Sequence, residues 1–483
     1  LEHLGRLVVT APTVSGLREA YDAHELSPHD VLDHTFERIR SCEPSLHAFI
    51  TVDEDSARRH ADALIARRNA GEAPGPLWGI PFSVKDTFET AGMRTTFGSR
   101  IYRDSVPEHD AELVRRVRAA GGILVGKTNT PEFAIHIRTL NDLVDETRNP
   151  WDLARSSGGS SGGAAASISA GVTPIAIGSD GGGSVRIPAS LCGSVGLMPS
   201  RGAIPRSTGG IATRRFSSAG PLALDATDAA LLFTAMQGPL ERDGLSRGLY
   251  PTGMAHRDRA AAPRLRWVGD NGLEGNDPRI IDAVFDAAKE LAHVINSSLD
   301  CRGDSMDAPR FNDAFYTMMQ ADRYSTGGQD LLADSHSNEL LTGYARHHFQ
   351  RGADIPSYEY SRAIDVQLSA LEHMEHLLRD VEVVATPTVG VPAPEILPGE
   401  PTVPEAARRN FVAFTFLMNF TGLPAVSVPT GLVDGRPAGL QLIGREGSER
   451  LLLDLARTYQ KRIFRLPAST FAQQHTSAIG GTR

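Results

Sequence analysis

From Ser156 to Gly202 the chain reads "SSGGSSGGAAASISAGVTPIAIGSDGGGSVRIPASLCGSVGLMPSRG", and no other stretch restricts the fold as strongly. Gly/Ser tracts are commonly flexible linkers. This one has a different interior. "AAASISA" is an alanine-packed helix, Gly171 is a stop, and "PIAIG" is a buried strand. Small side chains let a helix lie close against its neighbours. The stretch therefore belongs to a core, with glycines set where the backbone must approach something closely.

The segments around it alternate helix and strand. Ser27 is an N-cap with Pro28 at the first helical position, and Val31, Leu32, Phe36 and Ile39 follow at helical spacing. Residues 52–70 form a charged, alanine-rich helix. "LWGIPFSVKD" is an apolar strand ending on Lys85 and Asp86. Residues 110–120 are a helix, and "GGILVGKTN" is a short buried strand after a glycine turn. Towards the C-terminus, "VEVVATPTVGVPAPEI" gives a strand and a proline-rich loop. "LPAVSVPTGL" and "PAGLQLIG" give two strands joined at Asp434-Gly435, a hairpin signal, and "SERLLLDLARTYQKRI" gives a last helix. Residues 240–410 are less regular in pattern, and no internal repeat is visible. Alternation of this kind predicts an α/β fold.

A net charge of −9 and a pI near 6.0 argue against nucleic-acid binding, which needs a basic surface. Three scattered cysteines, Cys42, Cys192 and Cys301, form no disulfide framework and no CxxC metal site, which fits a reducing cytoplasm. No apolar run is long enough to span a membrane, and no signal peptide is visible, although a start at Leu1 is compatible with a short leader having been removed.

Three short segments carry chemistry. Lys85 follows the apolar run Ile80–Val84. A lysine at a strand end is ordinarily a solvated charge. A buried one loses its proton more easily and becomes a competent base. In "GGSSGG", Gly158 to Gly163, the glycines could cradle a phosphate, but the lysine of a Walker loop is missing. Their other use is to permit unusual backbone geometry around a reactive hydroxyl. Ser184 follows Gly181, Gly182 and Gly183, whose amides can converge on one spot as an oxyanion site. A serine nucleophile needs a base. The sixteen histidines offer no such arrangement, and His109 and His136 have no special context. His373 and His376 lie at i, i+3 on a helix, and an exposed face is the better reading of that pair than a metal site.

Taken together and in this order, "GIPFSVKD", "GGSSGG" and "GSDGGGSVRIPASLCGSVGLMPS" resemble the amidase signature family. Ser160 and Ser184 stand 24 positions apart, the family's spacing. "KTNTPEF", "TRNPWD", "NFTGLPAVSVPTG" and "GLQLIG" extend the likeness over most of the chain. The resemblance implies a single α/β/α domain over residues 1–483 around a large, twisted mixed sheet. It has a signature core over about 75–235, a variable pocket-forming region over about 240–400, and C-terminal strands and helix over about 405–465. It also implies a Ser–cisSer–Lys triad. Ser184 is the nucleophile, Ser160 the bridging serine on a cis peptide bond, and Lys85 the base. The N–H groups of Gly181, Gly182, Gly183 and Ser184 hold the oxyanion. Asp180 and Arg186 brace the loop, with Ser161 beside the triad. No metal and no organic cofactor are implied.

Gly181 stands where the family usually has threonine or a β-branched residue, Ser157 replaces a common proline, Met198 a lysine, and Ala203 a frequent arginine. Ala134 and Ile135 fall on a segment that lines the acyl pocket in relatives, and the small Ala134 leaves room for a bulky group. "FNDAFYTMMQADRY" reads first as a core helix and second as a pocket wall. The expected activity is hydrolysis of a small-molecule amide, with bulky, aryl or cyclic amides or carbamates as candidates. The protein is expected to act as a monomer or homodimer in the cytoplasm, with no nucleic-acid or membrane partner. The competing readings are an amidotransferase subunit for transfer-RNA-linked glutamate and a silent, ligand-binding pseudo-enzyme.

Overall fold

An eleven-stranded mixed sheet runs through the computed structural model, which describes residues 12–206, 215–246, 262–397, 405–469 and 471–474. Its strands are β1 (Phe49–Val52), β2 (Pro81–Lys85), β3 (Ile123–Thr128), β4 (Ile175–Asp180), β5 (Val195–Met198), β6 (Ser218–Ala223), β7 (Leu265–Trp267), β8 (Leu299–Asp300), β9 (Val383–Pro387), β10 (Ala425–Val433) and β11 (Arg436–Gly444). The spatial order is β1-β3-β2-β4-β6-β5-β10-β11-β9-β7-β8. β2 lies between β3 and β4 and is parallel to both, whereas β4 and β6 are antiparallel. The β10–β11 hairpin turns at Asp434 and Gly435, with φ of 51° and 75°. Positive φ at both positions gives a twist that matches the strands.

Period-two alternation sends β9 and β11 into two cores. Val383 and Ala385 of β9 pack with Leu440 and Leu442 on one face, whereas Val384 and Ile443 pack on the other. The first face is covered by helices that include Pro28–Leu46, Glu112–Ala119, Pro278–Val294 and Glu449–Arg462. The second is covered by α1 (Gly162–Ser169), α2 (Arg186–Cys192), α3 (Ala308–Arg323) and α5 (Ser357–Leu377), with α4 (Gly343–Ala353) packed beyond α3. The sheet flanked by helices is the architecture the sequence predicts.

Local signals worked where they were explicit. Ser27 and Asp30 form a reciprocal capping box at the start of Pro28–Leu46, and that helix continues through Pro44. Gly171 ends the turn after α1 with φ of 70°. The middle of the chain is more regular than its pattern indicated: Pro278–Val294, α3, α4 and α5 are substantial helices. Polar residues interleave with the apolar stripe in α5, where Ala363, Ala370, Met374 and Leu377 are buried, so composition hid the period. Among the described residues no helix is long and apolar enough to cross a membrane.

Candidate active site

The parallel pair β2–β4 brings two sequence-distant segments to one end of the sheet. β2 ends on Lys85, and β4 ends on Ser179 and Asp180. After β4 the glycine loop leads directly into α2, and the "GGSSGG" segment leads into α1. Ser161 N–H donates to the Ser184 carbonyl at 3.1 Å, tying the two loops together. The Gly159–Ser160 peptide is cis. Gly163 permits the approach of α1: a Cβ there would lie 2.5 Å from Ala48 O and Asn129 N.

Lys85 is fully buried. Its Nζ lies 2.7 Å from Ser160 Oγ, 3.0 Å from Ser161 Oγ and 2.9 Å from Ser179 Oγ. Burial pushes its pKa well below the ordinary lysine value. Asp180 opposes that shift, and the positive charges of Arg323 and Arg206 add to it. Ser161 has its own hydrogen committed, since Oγ donates to Ser179 O at 3.1 Å while accepting the Ser179 N–H at 3.2 Å. Sequence reasoning assigns Ser179 no role. Its position at the end of a strand paired to the lysine strand is the signal that would have found it.

Asp180 and Arg186 form a fully buried pair. Arg186 Nε and Nη2 each reach the carboxylate at 3.0 Å. Two of the remaining guanidinium hydrogens go to Gln441 Oε1 at 2.8 Å and Asn419 Oδ1 at 2.7 Å. Burial alone would raise the Asp180 pKa; the charge and hydrogen bonds of Arg186, with Asn419, hold it below the usual carboxylate value. Asp180 also organises the loop, because Oδ1 accepts the Gly183 N–H at 2.7 Å and Oδ2 the Val185 N–H at 3.1 Å.

The Gly183 bond corrects one expectation. That N–H points at Asp180 and is spent there, and Gly183 is absent from the cavity wall, whereas Gly181, Gly182 and Ser184 line it. Among the described residues no hydrogen bond takes the N–H of Gly181, Gly182 or Ser184. Gly183 has a structural role instead. Its φ is 124°, and a Cβ there would overlap Thr415 Oγ1, which donates to Gly182 O at 2.8 Å.

The cavity opens to solvent and holds a volume of about 70 Å³. Ser160, Ser179 and Ser184 share it with Ala134 and Ile135. Phe311, Phe315, Met318 and Met319 of α3 are packed in the core, and Phe315, Tyr316 and Met319 also line the cavity. His136, which has no special context along the chain, also lines it, as do His348, Arg206, Arg323 and Arg408. The His373/His376 pair stays outside the site. His373 bonds the Ser305 carbonyl at 3.1 Å and packs on Phe311, and the described residues hold no cluster suited to a metal.

Residues 30–453 match the family model for amidases. The chain belongs to the amidase signature family. Within that family it is 32% identical over 474 residues to the glutamyl-tRNA(Gln) amidotransferase A subunit of Carboxydothermus hydrogenoformans, covering 92% of this chain and 96% of that one. It is also 32% identical over 457 residues to the acylamidase of Rhodococcus erythropolis, covering 91% and 92%. The structure of a 6-aminohexanoate cyclic dimer hydrolase complexed with substrate superposes with a TM-score of 0.78 at 27% identity, covering 93% of this amidase and 96% of that chain.

Proposed function

We propose that this amidase cleaves carboxamide C–N bonds through an acyl-enzyme on Ser184, with Ser160 as proton relay and neutral Lys85 as base. The observation that carries the reading is the buried Nζ of Lys85 held 2.7 Å from Ser160 Oγ. A neutral amine has two N–H bonds and one lone pair. The Ser161 hydrogen is committed to Ser179 O, so Ser161 can only accept from Lys85. Ser179 Oγ takes the second N–H. The lone pair then faces the Ser160 hydroxyl, whose proton it accepts while Ser160 accepts the proton of Ser184.

Ser184 Oγ attacks the acyl carbon, and the N–H groups of Gly181, Gly182 and Ser184 receive the developing oxyanion. The proton returns through Ser160 to the leaving nitrogen, and the C–N bond breaks. Water then attacks the Ser184 ester by the same relay, releasing the acid. Bulky, aryl or cyclic amides or carbamates are the proposed substrates, supported by the small Ala134 and the aromatic wall of Phe97, Phe133 and Phe315.

A second reading is favoured by the likeness to amidotransferase A subunits. On it, the same chemistry releases ammonia within a multi-subunit complex. Two measurements decide. A fluorophosphonate probe should label wild-type protein on Ser184 and leave Ser184→Ala unlabelled, and the purified chain alone should turn over simple anilides. Labelling elsewhere defeats the nucleophile assignment, and turnover only in the presence of co-purified partner chains favours the second reading.

A further inference from the structure

Beyond its effect on the Lys85 pKa, the positive charge in the cavity beside Ser184 has no part in the proposed reaction. Arg206, Arg323 and Arg408 line it, and no Asp or Glu is in the wall among the described residues. Arg206 Nη1 donates to Ser217 O at 3.1 Å, and Arg408 lies over the Tyr316 ring at 4.7 Å. Arg323, the last residue of α3, is different. It is 5% exposed and has no carboxylate at ion-pair distance among the described residues. Its one hydrogen bond is a long one, from Nη2 to Ala134 O at 3.4 Å. Its Nε–H is buried with no acceptor. On α4, His348 Nε2 is likewise buried with no partner.

Buried guanidinium groups are ordinarily paired, because an uncompensated buried charge is strongly unfavourable. Burial first, and then the charge of Arg206, lower the Arg323 pKa to about 10, which still leaves it protonated at neutral pH. The free Nε edge is a planar fork, the shape that takes a carboxylate through two parallel hydrogen bonds. Phe133, Ile137 and Phe315 also stand in the wall, together with Ser160, Ser179, Ser184 and Ser217. A single planar anion matches the one buried fork, since Arg206 is bonded to Ser217 O and Arg408 stacks on the Tyr316 ring.

We propose that the substrate of this amidase carries a carboxylate in addition to the scissile amide, and that this carboxylate sits on the Arg323 guanidinium with His348 Nε2 beside it. The proposal rests on the reading of Ser184 as the nucleophile and narrows its substrate class. It makes Arg323 a specificity-determining residue, and it explains why α3 ends in a buried cation facing the cavity.

Matched pairs test it. Malonanilic, succinanilic and glutaranilic acids place the carboxylate on the acyl side at three distances, N-acetyl-4-aminobenzoate places it on the leaving side, and the methyl ester of each is the control. At least one acid should exceed its ester in kcat/KM by on the order of 100-fold. Arg323→Leu should collapse that ratio towards unity, and Arg323→Lys, which keeps charge without the fork, should give an intermediate ratio. Calorimetry on Ser184→Ala needs no turnover: succinate monoanilide should bind, and adding Arg323→Leu should abolish binding. If the acids bind but no amide is cut, the nucleophile assignment fails and this one stands. Esters cleaved as fast as acids by the wild type, or inorganic phosphate binding as tightly as the carboxylates, would overturn it.

Discussion

Asp180→Asn keeps the shape of the side chain and removes its charge. Asp180 Oδ1 accepts from Gly183 N–H at 2.7 Å, Arg186 Nη2 at 3.0 Å and Asn419 Nδ2 at 3.0 Å. Oδ2 accepts from Arg186 Nε at 3.0 Å and the backbone N–H groups of Val185 at 3.1 Å and Arg186 at 3.4 Å. An amide can reproduce one of these sets. Its NH2 then faces three donors with no acceptor, and Arg186 loses its counter-charge at a site with no solvent exposure. Removing one partner of a buried ion pair costs about 3–5 kcal/mol, and that is the expected loss of unfolding free energy at neutral pH. The folded carboxyl has a pKa below its unfolded value, so its contribution is present above about pH 4 and is lost as the pH falls through the lower folded value. The deficit of the variant should therefore shrink in acid. Residual activity gives an independent reading. Asp180 raises the Lys85 pKa, so the variant should reach half of its plateau rate at a lower pH than the wild type. Urea unfolding at neutral and acid pH, with a pH–rate profile, measures both. Equal stability within about 1 kcal/mol, or a rate midpoint moved upward, refutes the reasoning.

Ser184→Ala should remove at least about 10⁴-fold of kcat while leaving the thermal unfolding midpoint near that of the wild type, read by anilide hydrolysis and calorimetry. Lys85→Met should lose on the order of 10³-fold at neutral pH and flatten the profile. Wild-type activity should rise with pH through the depressed pKa of Lys85 and then level, because the neutral amine is the active form. A profile that falls above neutrality speaks against it. Gly183→Ala should destabilise by about 1–3 kcal/mol in urea unfolding, since alanine is strained at a φ of 124° and its methyl would overlap Thr415 Oγ1. Gly181→Val should fold normally, because a Cβ there comes no nearer than 3.7 Å to Ser217 Oγ, and should narrow the range of amides accepted in a substrate panel.

Much of the site lay in local sequence. Lys85 at the end of an apolar strand, paired serines among glycines, and a second serine after three glycines are signals within single segments, and the structure gathers all three at one end of two parallel strands. What sequence missed was long-range or directional. Asn419 and Gln441 meet Arg186 across more than 230 positions, and nothing in their own neighbourhoods announces it. Arg323 and His348 reach the cavity from separate helices, and nothing in the local sequence of either shows which end opens on a site. The expectation for Gly183 failed because convergence of amides was inferred from composition. An aspartate three residues ahead of a glycine is an acceptor for that glycine's N–H, as at a helix cap, and this competing partner was readable in "SDGGG".

The anchoring of Arg186 by Asn419 and Gln441 bears on how such enzymes can be recombined. A crossover made anywhere between residues 235 and 405 keeps the signature serines with their lysine yet draws the residues behind the arginine from another parent. Chimeras should then lose activity unless that asparagine and glutamine travel with the loop, whichever parent supplies the pocket.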